Sequence, residues 1–197
     1  MKRLLPWAIL PVLCMGWMSC SHSGKEHSSL PDPRTLDKSV PEYKNPFHPS
    51  TYAHFVARKD YKKTYDIYKD DTLLKRTPKK SRKIFVCLNE QRGQYLVDGL
   101  VAMDFPLSSG VKAYPTKTGD YTVISKKEDH VSNLYGKMYD AEGKCINYNA
   151  ESTDPVPEGG RFDGSPMPYW QRLTNAGLGL HVGKVRRHPI SHGCVRL

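Results

Sequence analysis

Near its carboxyl end the chain sets one thiol among imidazoles, with Cys194 two positions after His192 and with His181 and His188 shortly before them. Cysteine carries acyl groups only as thiolate, and a neighbouring imidazole can take its proton. Cys194 with His181 or His192 is therefore a candidate nucleophile and base. Spacing alone leaves the base open. In an extended segment His192 would share a face with Cys194, but a turn at Gly193 would separate them. His181 ends the alternating run Leu178-Gly179-Leu180 and reads as a strand end that could lie beside the Cys194 turn. The backbone amides of Gly193 and Cys194 could form an oxyanion hole, where one lost donor typically costs about 3 to 4 kcal/mol.

The same side chains suggest a second chemistry, because His181, His188, His192 and Cys194 offer four zinc ligands. Their spacings match no common structural zinc pattern, and a sealed four-ligand site would leave no free nucleophile, so no metal is expected. No other cofactor is expected either. The glycines between Gly110 and Gly119 lack the spacing of a phosphate loop and the helix that should follow it.

Ser191-His192-Gly193-Cys194-Val195-Arg196-Leu197, with Leu180-His181-Val182-Gly183 and Met167-Pro-Tyr-Trp-Gln-Arg-Leu173 upstream, resembles the L,D-transpeptidase catalytic domain, the YkuD-like family. Ile84 to Leu88, Gln91 and Gly93, Pro106 to Gly110, and Thr116-Lys-Thr-Gly119-Asp-Tyr121 are similar as well, so the resemblance runs from about Arg82 to Leu197. It implies a mainly β fold, an antiparallel sandwich or barrel, acting on peptidoglycan stem peptides. It also implies that Cys194 is the nucleophile and His181 its proton acceptor and donor. Ser191, His192 and Gly193 would shape the turn and the oxyanion site, and Arg196 would take the polar position after the cysteine. Lys117 stands where relatives usually have proline. The chain stops at Leu197, where the family continues into a helix and a closing strand, so the domain end is expected to be missing and a sheet edge beside the site unpaired. A wall-binding protein with a decayed domain is the alternative reading.

The elements that must position these residues are short. Ile84–Leu88, Gln94–Asp98, Leu100–Phe105 and Asp120–Ser125 are rich in β-branched and aromatic residues. Arg92-Gly93 and Asp98-Gly99 give hairpin signals, and Tyr135–Tyr139 and Lys144–Tyr148 flank a further turn at Asp140 to Gly143. Asn149 to Pro168, rich in Pro and Gly, reads as a long lid loop. It leads to Tyr169 and Trp170, which could stack on the donor, and to Arg172, which could hold a carboxylate.

Before this catalytic domain, expected over 83–197, the chain divides into three. Residues 1–19 have the charged start and short apolar run of a signal peptide, too short and too proline-rich for a spanning helix. Ser19-Cys20 resembles a lipoprotein processing site, which implies lipidation of Cys20 and a periplasmic, membrane-anchored enzyme of the cell envelope; a monomer without nucleic-acid partners is expected. Residues 20–50 read as a flexible tether. In 51–82, a helical segment and linker, Tyr52, Phe55, Tyr61, Tyr65 and Tyr68 recur at helical spacing, as one helix or two short ones packed on the domain. The net charge of +10 suits a carboxylate-rich wall or an anionic membrane, and no nucleic-acid module is present. An oxidising envelope would allow Cys87 and Cys145 to pair, yet both also suit free thiols.

Overall fold

The computed structural model describes residues 30–75 and 82–197. The leader, Cys20, the first part of the expected tether and most of the linker before the first long strand lie outside the described residues. Among the described residues no helix is long and apolar enough to cross a membrane.

Among the described residues eleven strands and two short helices follow in the order α1 (Tyr52–Ala57), β1 (Tyr68–Lys69), α2 (Asp71–Lys75), β2 (Arg82–Cys87), β3 (Arg92–Val97), β4 (Leu100–Pro106), β5 (Ser125–Lys127), β6 (Val131–Tyr139), β7 (Cys145–Glu151), β8 (Arg161–Pro166), β9 (Trp170–Arg172), β10 (Gly179–His181) and β11 (Val195–Arg196). They form three sheets, ordered β1-β4-β3-β2, β11-β10-β9-β5 and β7-β6-β8. Pairing is antiparallel except between β10 and β11. The chain is thus mainly β.

The Asp98-Gly99 signal makes the β3–β4 hairpin, with φ of 52° and 81° at its two turn residues, as a two-residue primed turn requires. Arg92-Gly93 does not turn. Both residues lie inside β3, and the β2–β3 connection bends instead at Gln91, whose φ is 51°. The expected strand over 120–125 forms only from Ser125 onward.

Leu107, Leu180 and Val195 make the core between the first two sheets, with Ile84, Val86, Leu173 and Leu197 packed around them. Each such buried side chain contributes about 1.5 to 3 kcal/mol. β11 is not left as an open edge. Ser108 bridges Arg196 on the side away from β10, through Ser108 N–H to the Arg196 carbonyl at 3.0 Å and Arg196 N–H to the Ser108 carbonyl at 2.8 Å.

The N-terminal segment departs from its sequence reading in two ways. Residues 30–50 do not run free where they are described: Lys38, Tyr43 and Asn45 donate to the carbonyls of Val56, Ala57 and His54, which caps the carboxyl end of α1 with side chains. The helix also stops early, because Arg58 is extended (φ −60°, ψ 143°). Tyr61, Tyr65 and Tyr68 lie beyond it.

An ion pair inside the domain explains where the tyrosines go. Arg92 and Asp104 are 1 % and 0 % exposed, and the Arg92 guanidinium donates to Asp104. Asp104 also accepts from the Tyr52 and Tyr61 hydroxyls at 2.7 and 2.9 Å, while Arg92 donates to the Thr64 and Asp66 carbonyls. Burial, and then the Asp104 charge, push both phenols well up, so they stay protonated donors. A buried pair of this kind stands because both Asp104 oxygens and all three Arg92 nitrogens have hydrogen-bond partners.

Candidate active site

The register of the second sheet sets its residues in a grid. Leu180 pairs with Val195 and His181 with Arg196, and Gly179 pairs with Arg172 and Leu180 with Gln171. β5 adds Ser125 opposite Arg172 and Lys127 opposite Trp170. Side chains alternate faces along a strand. Leu180 and Val195 enter the core, so Cys194, Gly179 and Arg172 fall in one row of the opposite face, and Arg196, His181, Trp170 and Lys127 in the next.

Cys194 and His181 thus sit on neighbouring parallel strands, two residues out of step, which puts their Cα atoms about 8 Å apart from strand spacing and rise. Their side chains rise from the same face. His181 Nδ1 lies 2.9 Å from the Val182 carbonyl. A carbonyl only accepts, so the neutral ring carries its proton on Nδ1 and leaves Nε2 basic. Burial, helped by Arg196 and His130, pushes the imidazole below its ordinary value of 6.5 although the Val182 bond opposes this. The Cys194 thiol donates to the Gly177 carbonyl at 3.4 Å. Burial raises it above the ordinary 9.0, opposed by the Gly179 N–H and Arg196. Both groups are neutral at rest, with the thiol proton directed at the Gly177 carbonyl.

Ser191 holds the turn. Its hydroxyl donates to the Cys194 carbonyl and accepts from Gly193 N–H at 3.2 Å, while its own N–H donates to the Ser109 carbonyl. Gly193 adopts φ 111°, open to glycine and strained for other residues. Its amide is engaged, so of the two amides considered for an oxyanion hole only that of Cys194 has no partner among the described residues. Thr116 fixes the outer side of the turn, donating to the Gly193 carbonyl at 2.6 Å and accepting from Gly110 N–H at 2.8 Å.

His192 has different surroundings. Its ring stacks on Tyr135 of β6 at 4.2 Å and 12°, and meets Tyr114 at 4.7 Å. The Tyr114 hydroxyl in turn donates to Glu151 of β7 at 3.1 Å. The three-stranded sheet β7-β6-β8 is therefore joined to the Cys194 turn through aromatic rings. The stretch expected as a lid loop supplies the end of β7 and all of β8, because Arg161 to Pro166 pair with β6. Tyr114, Tyr135 and Glu151 were not candidates from sequence, since nothing in their spacing links them to the cysteine.

The residues before β10 separate. Tyr169 is 63 % exposed with φ 54°, whereas Trp170 is 2 % exposed. The six-membered ring of Trp170 fills the place where a side chain at Gly179 would stand, so it forms the floor of the site and is no open stacking platform. Arg172 is half-buried in the row of Cys194, on the far side of Gly179. Among the described residues no three His, Cys, Asp or Glu side chains converge as metal ligands, and His188 is exposed, so the four-ligand zinc arrangement is not formed. Cys145 is a free thiol and is not paired with Cys87.

Comparison with known proteins adds the family. Comparison with the curated proteins found no match. Solved structures that resemble the chain include an L,D-transpeptidase from Stackebrandtia nassauensis, 24% identical over 62% of this chain and 47% of that one, with a TM-score of 0.40. Others are an L,D-transpeptidase from Mycobacterium smegmatis, at 21% over 59% and 49% with a TM-score of 0.43, and a cysteine-to-serine mutant of the Enterococcus faecium L,D-transpeptidase, at 25% over 60% and 42% with a TM-score of 0.40. The chain spans about half the length of these solved relatives. The model of the YkuD L,D-transpeptidase catalytic domain matches residues 81–197. Matched over more than half of its length, this chain belongs to the L,D-transpeptidase catalytic domain family.

Proposed function

We propose that the protein is a peptidoglycan L,D-transpeptidase working through a cysteine acyl-enzyme in the cell envelope, held to a membrane by a lipid on Cys20. The single observation that carries the reading is the placing of Cys194 and His181 on one face of paired strands, with His181 Nδ1 held by the Val182 carbonyl. His181 Nε2 takes the thiol proton as the sulfur attacks the carbonyl of the third stem residue. The tetrahedral oxyanion meets the Cys194 N–H. The bond to the terminal D-alanine then breaks, its nitrogen takes the proton from His181, and a thioester remains. An amine of a second stem or of a protein attacks the thioester, returns a proton through His181 to sulfur and leaves the cross-linked product.

Because both groups are neutral at rest, the proton moves in step with attack and no standing thiolate is required. Ser191, Gly193 and Thr116 act by holding the turn. Arg196 lies beside both reacting groups, and the exposed Tyr169 ring is free to stack on the donor.

Intact-mass spectrometry after incubation with a carbapenem tests this. One adduct is expected on the native protein and none on Cys194→Ala; an adduct that survives the substitution removes the thiol from the mechanism.

A further inference from the structure

On the face that carries Cys194 and His181, the far side of the sheet is basic without compensation. Arg172 of β9 stands in the row of Cys194, and Lys127 of β5 stands opposite Trp170 in the row of His181. His130 lies against Trp170, ring centroids 5.0 Å apart and planes tilted by 31°. Lys127 and Arg172 both act on His130 to lower its pKa, after burial, so the three groups share one neighbourhood. Among the described residues neither Arg172 nor Lys127 forms an ion pair; the pairs found there are Arg58 with Asp60 and Asp66, and Arg92 with Asp104. Glu128 and Asp129 follow Lys127 in the chain, yet neither lies within pairing distance of it or of Arg172. The Nε1–H of Trp170, buried between His130 and His181, also has no partner among the described residues.

Uncompensated cations beside an unpaired buried donor, on the wall of a site, are an arrangement for binding an anion. Distance narrows which one. Arg172 and Cys194 are two strands apart, about 10 Å between Cα atoms. The Arg172 side chain itself spans about 6 Å of that distance, and the remainder is within reach of one long donor side chain or of the preceding residue of an extended donor, at about 3.3 Å per residue.

We propose that Arg172 and Lys127, with His130 beside them, form a subsite for a free carboxylate of the acyl donor, so that the enzyme selects stems whose carboxylate is not amidated. This rests on the transpeptidase reading. The carboxylate is either that on the side chain of the third stem residue or the free α-carboxyl of the second, and the two sources are separable.

The experiment uses three tetrapeptide donors, one with both carboxylates free and one with each amidated in turn, and follows acylation and turnover by native protein, Arg172→Gln and Lys127→Gln. Amidating one of the two positions is expected to lower kcat/KM about tenfold or more in the native enzyme, the size of one charge-assisted contact. Arg172→Gln is expected to lose a similar factor on the free acid and to stop discriminating acid from amide; the sensitive position identifies the source. Titration of the same donors into Cys194→Ala repeats the comparison as binding, without chemistry. A native enzyme indifferent to both amidations, or an Arg172→Gln protein that loses equally on acid and amide, overturns the subsite. If a carbapenem still labels Cys194 in either case, the transpeptidase reading stands without it. If no donor and no carbapenem acylates Cys194, that reading falls and the subsite with it.

Discussion

Gly179→Ala tests the site at its tightest point. A Cβ there would lie 2.4 Å from Trp170 Cη2, 2.6 Å from Trp170 Cζ3 and 2.6 Å from the Gln171 carbonyl oxygen. Carbon atoms rest about 3.5 to 4.0 Å apart, so the indole must retreat by about 1 Å or more. Trp170 is 2 % exposed, and the carbonyl belongs to the ladder between β9 and β10. Overpacking of this kind costs about 1 to 3 kcal/mol, and a backbone obstacle puts the change near the upper end. The same displacement carries the Gly179 N–H away from the Cys194 sulfur, and with it one of the two influences that favour the thiolate. Urea unfolding followed by circular dichroism reads the first effect, and the rate of carbapenem acylation by mass spectrometry reads the second. Gly177→Ala is the control: Gly177 has φ 90° with nothing within 4 Å of its Cβ position, so it carries backbone strain alone, about 1 kcal/mol. Trp170→Phe in the Gly179→Ala background should recover about 1 kcal/mol or more, because the two positions touch. A Gly179→Ala protein no less stable than Gly177→Ala, and acylated at the native rate, would refute the packing of the indole against Gly179 of β10.

Other outcomes follow from the same geometry. Asp104→Ala, which leaves the Arg92 guanidinium buried without its carboxylate, should cost about 3 to 5 kcal/mol in urea unfolding, whereas Arg92→Leu with Asp104→Leu should recover much of it; a single-mutant loss below about 1 kcal/mol contradicts this. His181 must be neutral to accept a proton, and its pKa is lowered from 6.5. Acylation should therefore hold at pH 7 and fall only as the pH drops through that lowered value, and a rate already falling above pH 7 argues for another base. The Cys194 thiol is raised above 9.0, so iodoacetamide labelling of the resting protein should keep climbing past pH 9, and a plateau near neutrality would indicate a standing thiolate. Thr116→Val removes the bond to the Gly193 carbonyl and leaves Gly110 N–H unpaired. It should destabilise by about 1 to 3 kcal/mol and slow acylation, and unchanged values on both counts would mean that the turn holds without it.

Sequence legibility follows the range of the interactions involved. The Asp98-Gly99 hairpin and the turn from Asp140 to Gly143 are legible because a few adjacent residues fix them: Gly143 N–H donates back to the Asp140 carbonyl and has φ 80°. The tyrosines after Arg58 are misleading, since they keep helical spacing without a helix: Tyr61 donates to Asp104 of β4 beside Tyr52 of α1, Tyr65 donates to the Arg186 carbonyl, and Tyr68 begins β1. β8 and β9 were hidden for a related reason. Proline- and glycine-rich composition describes Arg161 to Pro166 well as a loop, and only the partner strand β6 makes it a strand.

The sequence by itself determined the chemical parts: a thiol near imidazoles, an imidazole at a strand end, a glycine where the turn needs positive φ, and the family to which that order of blocks belongs. These are local properties, set by residue type and near neighbours. Tertiary structure alone decided their states and companions. It tied Nδ1 of His181 to a carbonyl and stacked His192 between Tyr135 and Tyr114. It also sank Trp170 beneath Gly179 and set Arg172 and Lys127 on the same wall as the thiol. Each depends on strand register between segments far apart in the chain, and register is set by the burial of whole faces, which no short spacing encodes.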